Sequence, residues 1–143
     1  MAGAETTEVF ECTPKQFFSI VSDYPNYNKF LSEVTSCEIV KTEGNRKLVE
    51  FHVFMLKNFS YRLWITEDPD EGIHWHFESG DLFKESNGFW KLKDLGGKTQ
   101  ATYGVEAKFK LFVPGPVAKA LVNVNLPNMM SAYQKRVREL YGK

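Results

Sequence analysis

Phe59-Ser60-Tyr61-Arg62-Leu63-Trp64-Ile65-Thr66 alternates with a period of two, the pattern of a strand with one covered and one wet face. Phe59, Tyr61, Leu63 and Ile65 form the inward set, and Ser60, Arg62, Trp64 and Thr66 face out. The reading extends both ways. Leu48 to Leu56 is a strand that carries Phe51 and Val53, joined to the quoted one by a turn at Lys57-Asn58. After Pro69-Asp70-Glu71-Gly72, Ile73, Trp75 and Phe77 alternate with His74, His76 and Glu78. After a Gly96-Gly97 turn, Ala101, Tyr103, Val105, Ala107, Phe109 and Leu111 alternate with Thr102, Gly104, Glu106, Lys108 and Lys110. Val34 to Leu111 therefore predicts five or six successive antiparallel strands.

The flanks read differently. Thr6 to Glu11 alternates weakly as a first strand. In Cys12-Thr13-Pro14-Lys15-Gln16-Phe17, Thr13 suits an N-cap, Pro14 the first helical position, and Gln16 completes a capping box. Cys12 and Phe17 stand where a hydrophobic staple packs. This helix stops near Asp23, because Pro25 disfavours helical geometry at Tyr24. Asn26 to Ser32 reads as a second short helix with Tyr27, Phe30 and Leu31 on one side, crossing the first as a V.

Pro114-Gly115-Pro116 ends the last strand, and Val117 to Tyr141 is helical in pattern. Val117, Leu121 and Val124 mark one face, continued by Met130, Tyr133, Val137 and Leu140. Pro127 predicts a kink or break near Asn125. Arg136, Arg138 and Lys143 complement the dipole at the helix end.

With 143 residues the chain fits one domain spanning 1–143, and no repeat, linker or low-complexity tract divides it. Eighteen basic residues balance eighteen acidic ones, so no net field draws the protein to DNA or an anionic surface. The N-terminus offers no secretory stretch, and no run approaches the roughly 18 apolar residues of a membrane span. Cys12 and Cys37 lack scaffold spacing and read as reduced residues of a cytoplasmic protein. Aromatic residues make up 15% of the chain, with 12 Phe, 6 Tyr and 3 Trp, enough to dominate any interior.

The expected architecture is α+β, a helix-grip fold. A curved antiparallel sheet of six or seven strands wraps around one long C-terminal helix, with two short helices after the first strand. One helix about 10–12 Å wide is too narrow to cover such a sheet, so a cavity is expected beneath it. Its expected lining from the sheet is Phe51, Val53, Tyr61, Leu63, Trp75 and Phe77, then Trp90, Tyr103, Val105 and Phe109. From the helix it is Leu121, Met129, Met130 and Tyr133.

Three stretches carry a family likeness. They are Asp23-Tyr24-Pro25-Asn26-Tyr27-Asn28-Lys29-Phe30-Leu31, Gly80-Asp81-Leu82-Phe83-Lys84-Glu85-Ser86-Asn87-Gly88-Phe89-Trp90-Lys91-Leu92, and Lys98-Thr99-Gln100-Ala101-Thr102-Tyr103, which leads to a helix bearing Tyr133 and Arg136. The chain resembles the START-like (helix-grip, SRPBCC) superfamily and within it the polyketide cyclase and coenzyme Q-binding family. The resemblance spans nearly the whole chain, though its motifs encode no chemistry. It implies a pocket for quinones, lipids or polyketides, and a related bacterial branch is described as a ribosome-association toxin.

No cluster compels catalysis. His74 and His76 share one strand face with His52 two strands away, roughly 9–10 Å across, so a solvated polar face is a simpler reading than a metal site. Ser19, Ser22, Ser60 and Ser79 have no nucleophile-elbow setting, and Gly96-Gly97 is a turn, not a phosphate loop. Arg62 near Glu50 fits a cross-strand surface ion pair worth under about 1 kcal/mol. Tyr61, Trp75 and Tyr103 carry polar tips inward, either as packed core or to orient a ligand's carbonyl or hydroxyl. Met129 and Met130 serve equally as gap fillers or as an adaptable pocket wall.

The leading expectation is a carrier or binding module for an apolar small molecule, with no catalytic residue, cofactor or metal. An aromatase or cyclase acting through Tyr61 and Tyr103 is the enzyme alternative. Docking on the ribosome through Lys135, Arg136 and Arg138 is the interaction alternative. The sequence leaves the oligomeric state open.

Overall fold

The computed structural model describes the backbone of residues 2–55, 57–123 and 125–142, and the side chains of 3–55, 57–119 and 126–142. Strand β1 (Ala2–Phe10) leads into helix α1 (Pro14–Val21) and a 3-10 helix (Tyr24–Lys29). Six strands follow: β2 (Val34–Glu43), β3 (Arg46–Met55), β4 (Lys57–Asp68), β5 (Gly72–Gly80), β6 (Phe83–Asp94) and β7 (Thr99–Phe109). Helices α2 (Gly115–Asn123) and α3 (Asn125–Tyr141) complete the order.

All seven strands form one antiparallel sheet in the order β1-β7-β6-β5-β4-β3-β2. β1 and β2 are thus opposite edges, and the segment holding α1 and the 3-10 helix must traverse the width of the sheet. Curvature has identifiable causes. Register shifts interrupt pairing between Val34 and Ser36, Ile39 and Lys41, Arg62 and Leu63, and Phe83 and Glu85. Each such irregularity bends its strand and increases its twist.

The local signals at α1 are realised in full. Gln16 N donates to Thr13 Oγ1 at 3.2 Å while Thr13 N donates to Gln16 Oε1 at 3.0 Å. Cys12 and Phe17, the staple positions, are both buried. The second short helix differs from expectation: it is 3-10 and begins at Tyr24, because Pro25 falls in its first turn, where a fixed φ and missing N–H cost nothing. Tyr24, fully buried, donates its hydroxyl to Glu67 Oε2 at 2.7 Å, and Lys47 Nζ meets Glu67 Oε1 at 2.6 Å. That carboxylate ties the 3-10 helix to β3 and β4.

Other boundaries move as well. β1 begins at Ala2 rather than Thr6, because its pairing with β7 extends to Ala2 opposite Ala107. β7 ends at Phe109, and Leu111, expected on the inner face, is 92% exposed where Val113 N turns back to Lys110 O at 3.0 Å. Leu140, in the last turn of α3, is 48% exposed rather than packed. The expected kink near Asn125 adjoins Val124, which lies outside the described residues.

The core has a dense half built from rings. Phe10 and Phe17 stand 4.4 Å apart between centroids, Phe17 and Trp90 5.2 Å, Trp90 and Tyr133 5.2 Å, and Tyr133 and Phe30 5.1 Å. Tyr133, Val137 and Met130 are all buried on α3, matching its helical repeat. The C-terminal end of α3 is also tied by polar contacts. Gln134 Nε2 donates to Glu8 Oε1 and Val9 O, both at 3.1 Å, and Tyr141 Oη lies 2.7 Å from Ser19 Oγ.

Substituting Thr13→Ala removes the cap without touching the core and is expected to cost about 1 kcal/mol. Urea denaturation checks this; a midpoint equal to wild type would contradict the role of the box.

Candidate functional site

The rings occupy only one end of the interior. Between the first half of α3 and the concave face of β3 to β7 lies a cavity with about 190 Å³ open to the centre of a water molecule. A single water occupies only about 10–15 Å³, so the space exceeds an ordinary packing defect many times over. An apolar cavity of about 150 Å³ is enough to hold benzene in another protein.

The alternation of the strands accounts for most of the wall. Phe51 and Val53 come from β3, Tyr61 and Leu63 from β4, and Trp75 from β5. Trp90 comes from β6, Tyr103, Val105 and Phe109 from β7, and Met129 and Tyr133 from α3. All eleven were expected from the sequence, and the structure brings them around one space.

Two expected residues are elsewhere. Phe77 lies beyond the last paired position of β5 with β6, next to the irregularity that sets Leu63 opposite Phe77. Its ring packs edge-on at 6.5 Å against Phe83 and does not face the cavity. Met130 is 4% exposed but buried in the packed core, because successive helical residues point about 100° apart and Met129 takes the cavity side. The side chain of Leu121 lies outside the described residues.

Several wall residues escaped the sequence reading. Ile65 and Ile73 merely continue the inward register, and Tyr27 and Leu31 share the apolar side already assigned to their helix. Phe83 and Ser86 carry no period-two signal in the sequence, because Gly88 interrupts the aromatic alternation of β6. Glu33 gave no signal, since an acidic residue ahead of a strand reads as solvated.

Gly88 shapes the cavity by what it lacks. It pairs with Trp75 across β5 and β6, and a Cβ there would fall 2.3 Å from Trp75 Cζ2. The missing side chain lets the indole lie down against β6 instead of standing up into the open space.

The polar groups are few. Among the described residues, the hydroxyls of Tyr61, Tyr103 and Ser86 make no hydrogen bond, and the Glu33 carboxylate has neither hydrogen bond nor ion pair. Burial raises the hydroxyls of Tyr61 and Tyr103 well above the usual tyrosine range, and the charge of Glu33 adds to the effect. Burial also raises Tyr133, which feels Glu33 as well. Tyr27 is already committed, donating its hydroxyl to Val21 O.

The other candidates separate from the cavity. His74 and His76 are exposed on the outer face opposite Thr66 and Trp64 of β4, with His52 one strand further on. Glu38, Glu50 and His52 place one ligand atom each within 4.8 Å, but both Glu50 oxygens are engaged. One meets His52 Nε2 at 2.8 Å and the other accepts from Arg62 Nε at 2.9 Å, the cross-strand pair expected from the sequence. Arg136 sits 5.3 Å over the ring of Phe30 and is partly occupied by that contact. Cys12 and Cys37 are buried free thiols; burial, with help from Glu11, pushes Cys12 from 9.0 up to about 11, and burial also raises Cys37.

A seven-stranded antiparallel sheet curved over a C-terminal helix, with an apolar cavity between them, defines a helix-grip protein of the START type. The sequence profile described as "Polyketide cyclase / dehydrase and lipid transport" matches residues 11–133, and the chain belongs to that family. No curated protein matches the sequence at a significant level. Among solved structures, a START superfamily protein from Mycobacterium smegmatis superposes with a TM-score of 0.83 at 22% identity, covering 96% of this chain and 98% of that one. The Zhui aromatase/cyclase from Streptomyces sp. R1128 gives 0.84 at 15% identity, covering 96% and 94%. A STAR-related lipid transfer protein (fragment 25–204) from Xanthomonas axonopodis gives 0.77 at 13%, covering 95% and 85%. At these identities the likeness establishes the fold alone. No helix among the described residues is long and apolar enough to cross a membrane.

The raised acids give a pH dependence with a definite sign. Cys12 at about 11 against 9.0, together with Cys37, Tyr61, Tyr103 and Tyr133, ionises later in the folded state than in the unfolded chain. Their contribution is therefore complete below pH 9 and lost as the pH climbs towards 11. The urea midpoint at pH 10 should fall below that at pH 7.5; an equal or higher midpoint would contradict the assigned burial.

Proposed function

We propose that the protein binds an apolar small molecule in this cavity and acts as a carrier or ligand-binding module without covalent chemistry. The observation that carries the reading is a space of about 190 Å³ lined mostly by aromatic and aliphatic side chains. Burying roughly 300 Å² of apolar ligand surface at about 25 cal/mol per Å² gains on the order of 7 kcal/mol. Association costs reduce this to weak or micromolar binding unless polar groups add to it.

The chemistry of the wall supports binding over turnover. No histidine, lysine or arginine is among the described wall residues. Tyr61 and Tyr103, the starting points for an aromatase or cyclase, have hydroxyls raised by burial, so they stay protonated at neutral pH and act as hydrogen-bond donors, not bases. A quinone, a lipid or a polyketide-like molecule would suit such a wall. The names of the aromatase/cyclase and lipid-transfer neighbours are consistent with that range of guests.

Solvent extraction and mass spectrometry of purified protein test the reading, with Val105→Phe as the control. Val105 faces the cavity, so the larger ring should fill part of it. Wild type is expected to carry or take up an apolar species, and Val105→Phe to lose at least tenfold in uptake while keeping its fold by circular dichroism. Equal uptake by both proteins, or none by wild type from a lipid and quinone mixture, would contradict it.

A further inference from the structure

The charge of the cavity is one-sided. Glu33 lies just before β2, its backbone carbonyl held by Phe54 N at 2.9 Å, and its half-buried side chain forms part of the wall. The carboxylate has no ion pair or hydrogen bond among the described residues. Its field reaches Tyr61, Tyr103 and Tyr133. Nothing in the described wall answers it with positive charge. Residues 120–125, whose side chains are not described, read Ala, Leu, Val, Asn, Val, Asn and include no ionisable residue.

An anionic guest would leave water, find no counter-ion and approach a like charge. Desolvating an unpaired carboxylate or phosphate costs more than the net apolar gain of a small ligand. A neutral guest with a hydroxyl meets the opposite situation. Its O–H can donate to Glu33 in a charge-assisted bond, and its oxygen can accept from Tyr61 or Tyr103.

We infer that the cavity selects uncharged, hydroxyl-bearing apolar molecules and rejects fatty acids, acyl phosphates and other anionic lipids of similar size, with Glu33 as the selecting residue. This rests on the cavity being a binding site, as proposed above.

Three probes of one shape separate the two claims: naphthalene, 2-naphthol and 2-naphthoate, titrated at pH 7.5 and followed by two-dimensional NMR of the labelled protein. In wild type, 2-naphthol should bind several-fold tighter than naphthalene, and 2-naphthoate at least tenfold weaker. Glu33→Gln should narrow the naphthoate deficit about tenfold while leaving naphthalene within twofold. Glu33→Lys should make naphthoate the preferred probe. Naphthoate binding wild type as tightly as naphthalene, or a deficit unchanged in Glu33→Gln, overturns the charge selection alone. Absence of binding by all three probes overturns the cavity as a binding site and this inference with it.

Discussion

The meeting of Phe17, Trp90 and Tyr133 fixes how closely the C-terminal helix approaches the sheet. Their centroids lie 5.2 to 6.0 Å apart, so α1, β6 and α3 share one aromatic contact. Tyr133 is near the middle of α3, and everything beyond it is tied down by Val137, Gln134 and Tyr141. With that end seated on the edge formed by β1, β7 and β6, the same helix cannot also press against β3 and β4. The bulged strands curve away beneath its first half, and the cavity occupies the difference.

Tyr133 and Trp90 therefore belong to both regions. Each packs in the dense half and also lines the open one. Such a wall holds its shape without a guest, because its rings are held from behind. Pre-organisation of that kind lowers the ordering cost of binding. Gly88 adds to it by allowing the Trp75 indole to lie flat, where any side chain would push the ring into the space.

Much of this was legible in the residues. Period-two alternation identified the inner faces of β3, β4, β5 and β7, since a residue's face follows from parity along a strand. The capping box at Thr13 and Gln16 located the start of α1 to the residue. The failures have physical reasons of their own. Phe77 kept its parity opposite Leu63, but its ring packs against Phe83, which takes the place on the cavity wall. Met129 and Met130 looked equivalent until the helix phase was set by Tyr133. Glu33 was invisible because nothing local distinguishes a solvated carboxylate from one that faces an interior; only the path of the β1-to-β2 connection across the sheet brings it there. The family likeness added the expectation of a hydrophobic guest, which periodicity alone does not supply.

The central claim is a durable, mostly apolar void between the sheet and the front of α3. A crystal structure under xenon pressure tests it most directly, since xenon partitions into apolar cavities and scatters strongly. The account predicts ordered xenon among Leu63, Trp75, Val105 and Met129, with the surrounding rings unmoved. Interlocked side chains in that region, with no xenon beneath the helix, would contradict it.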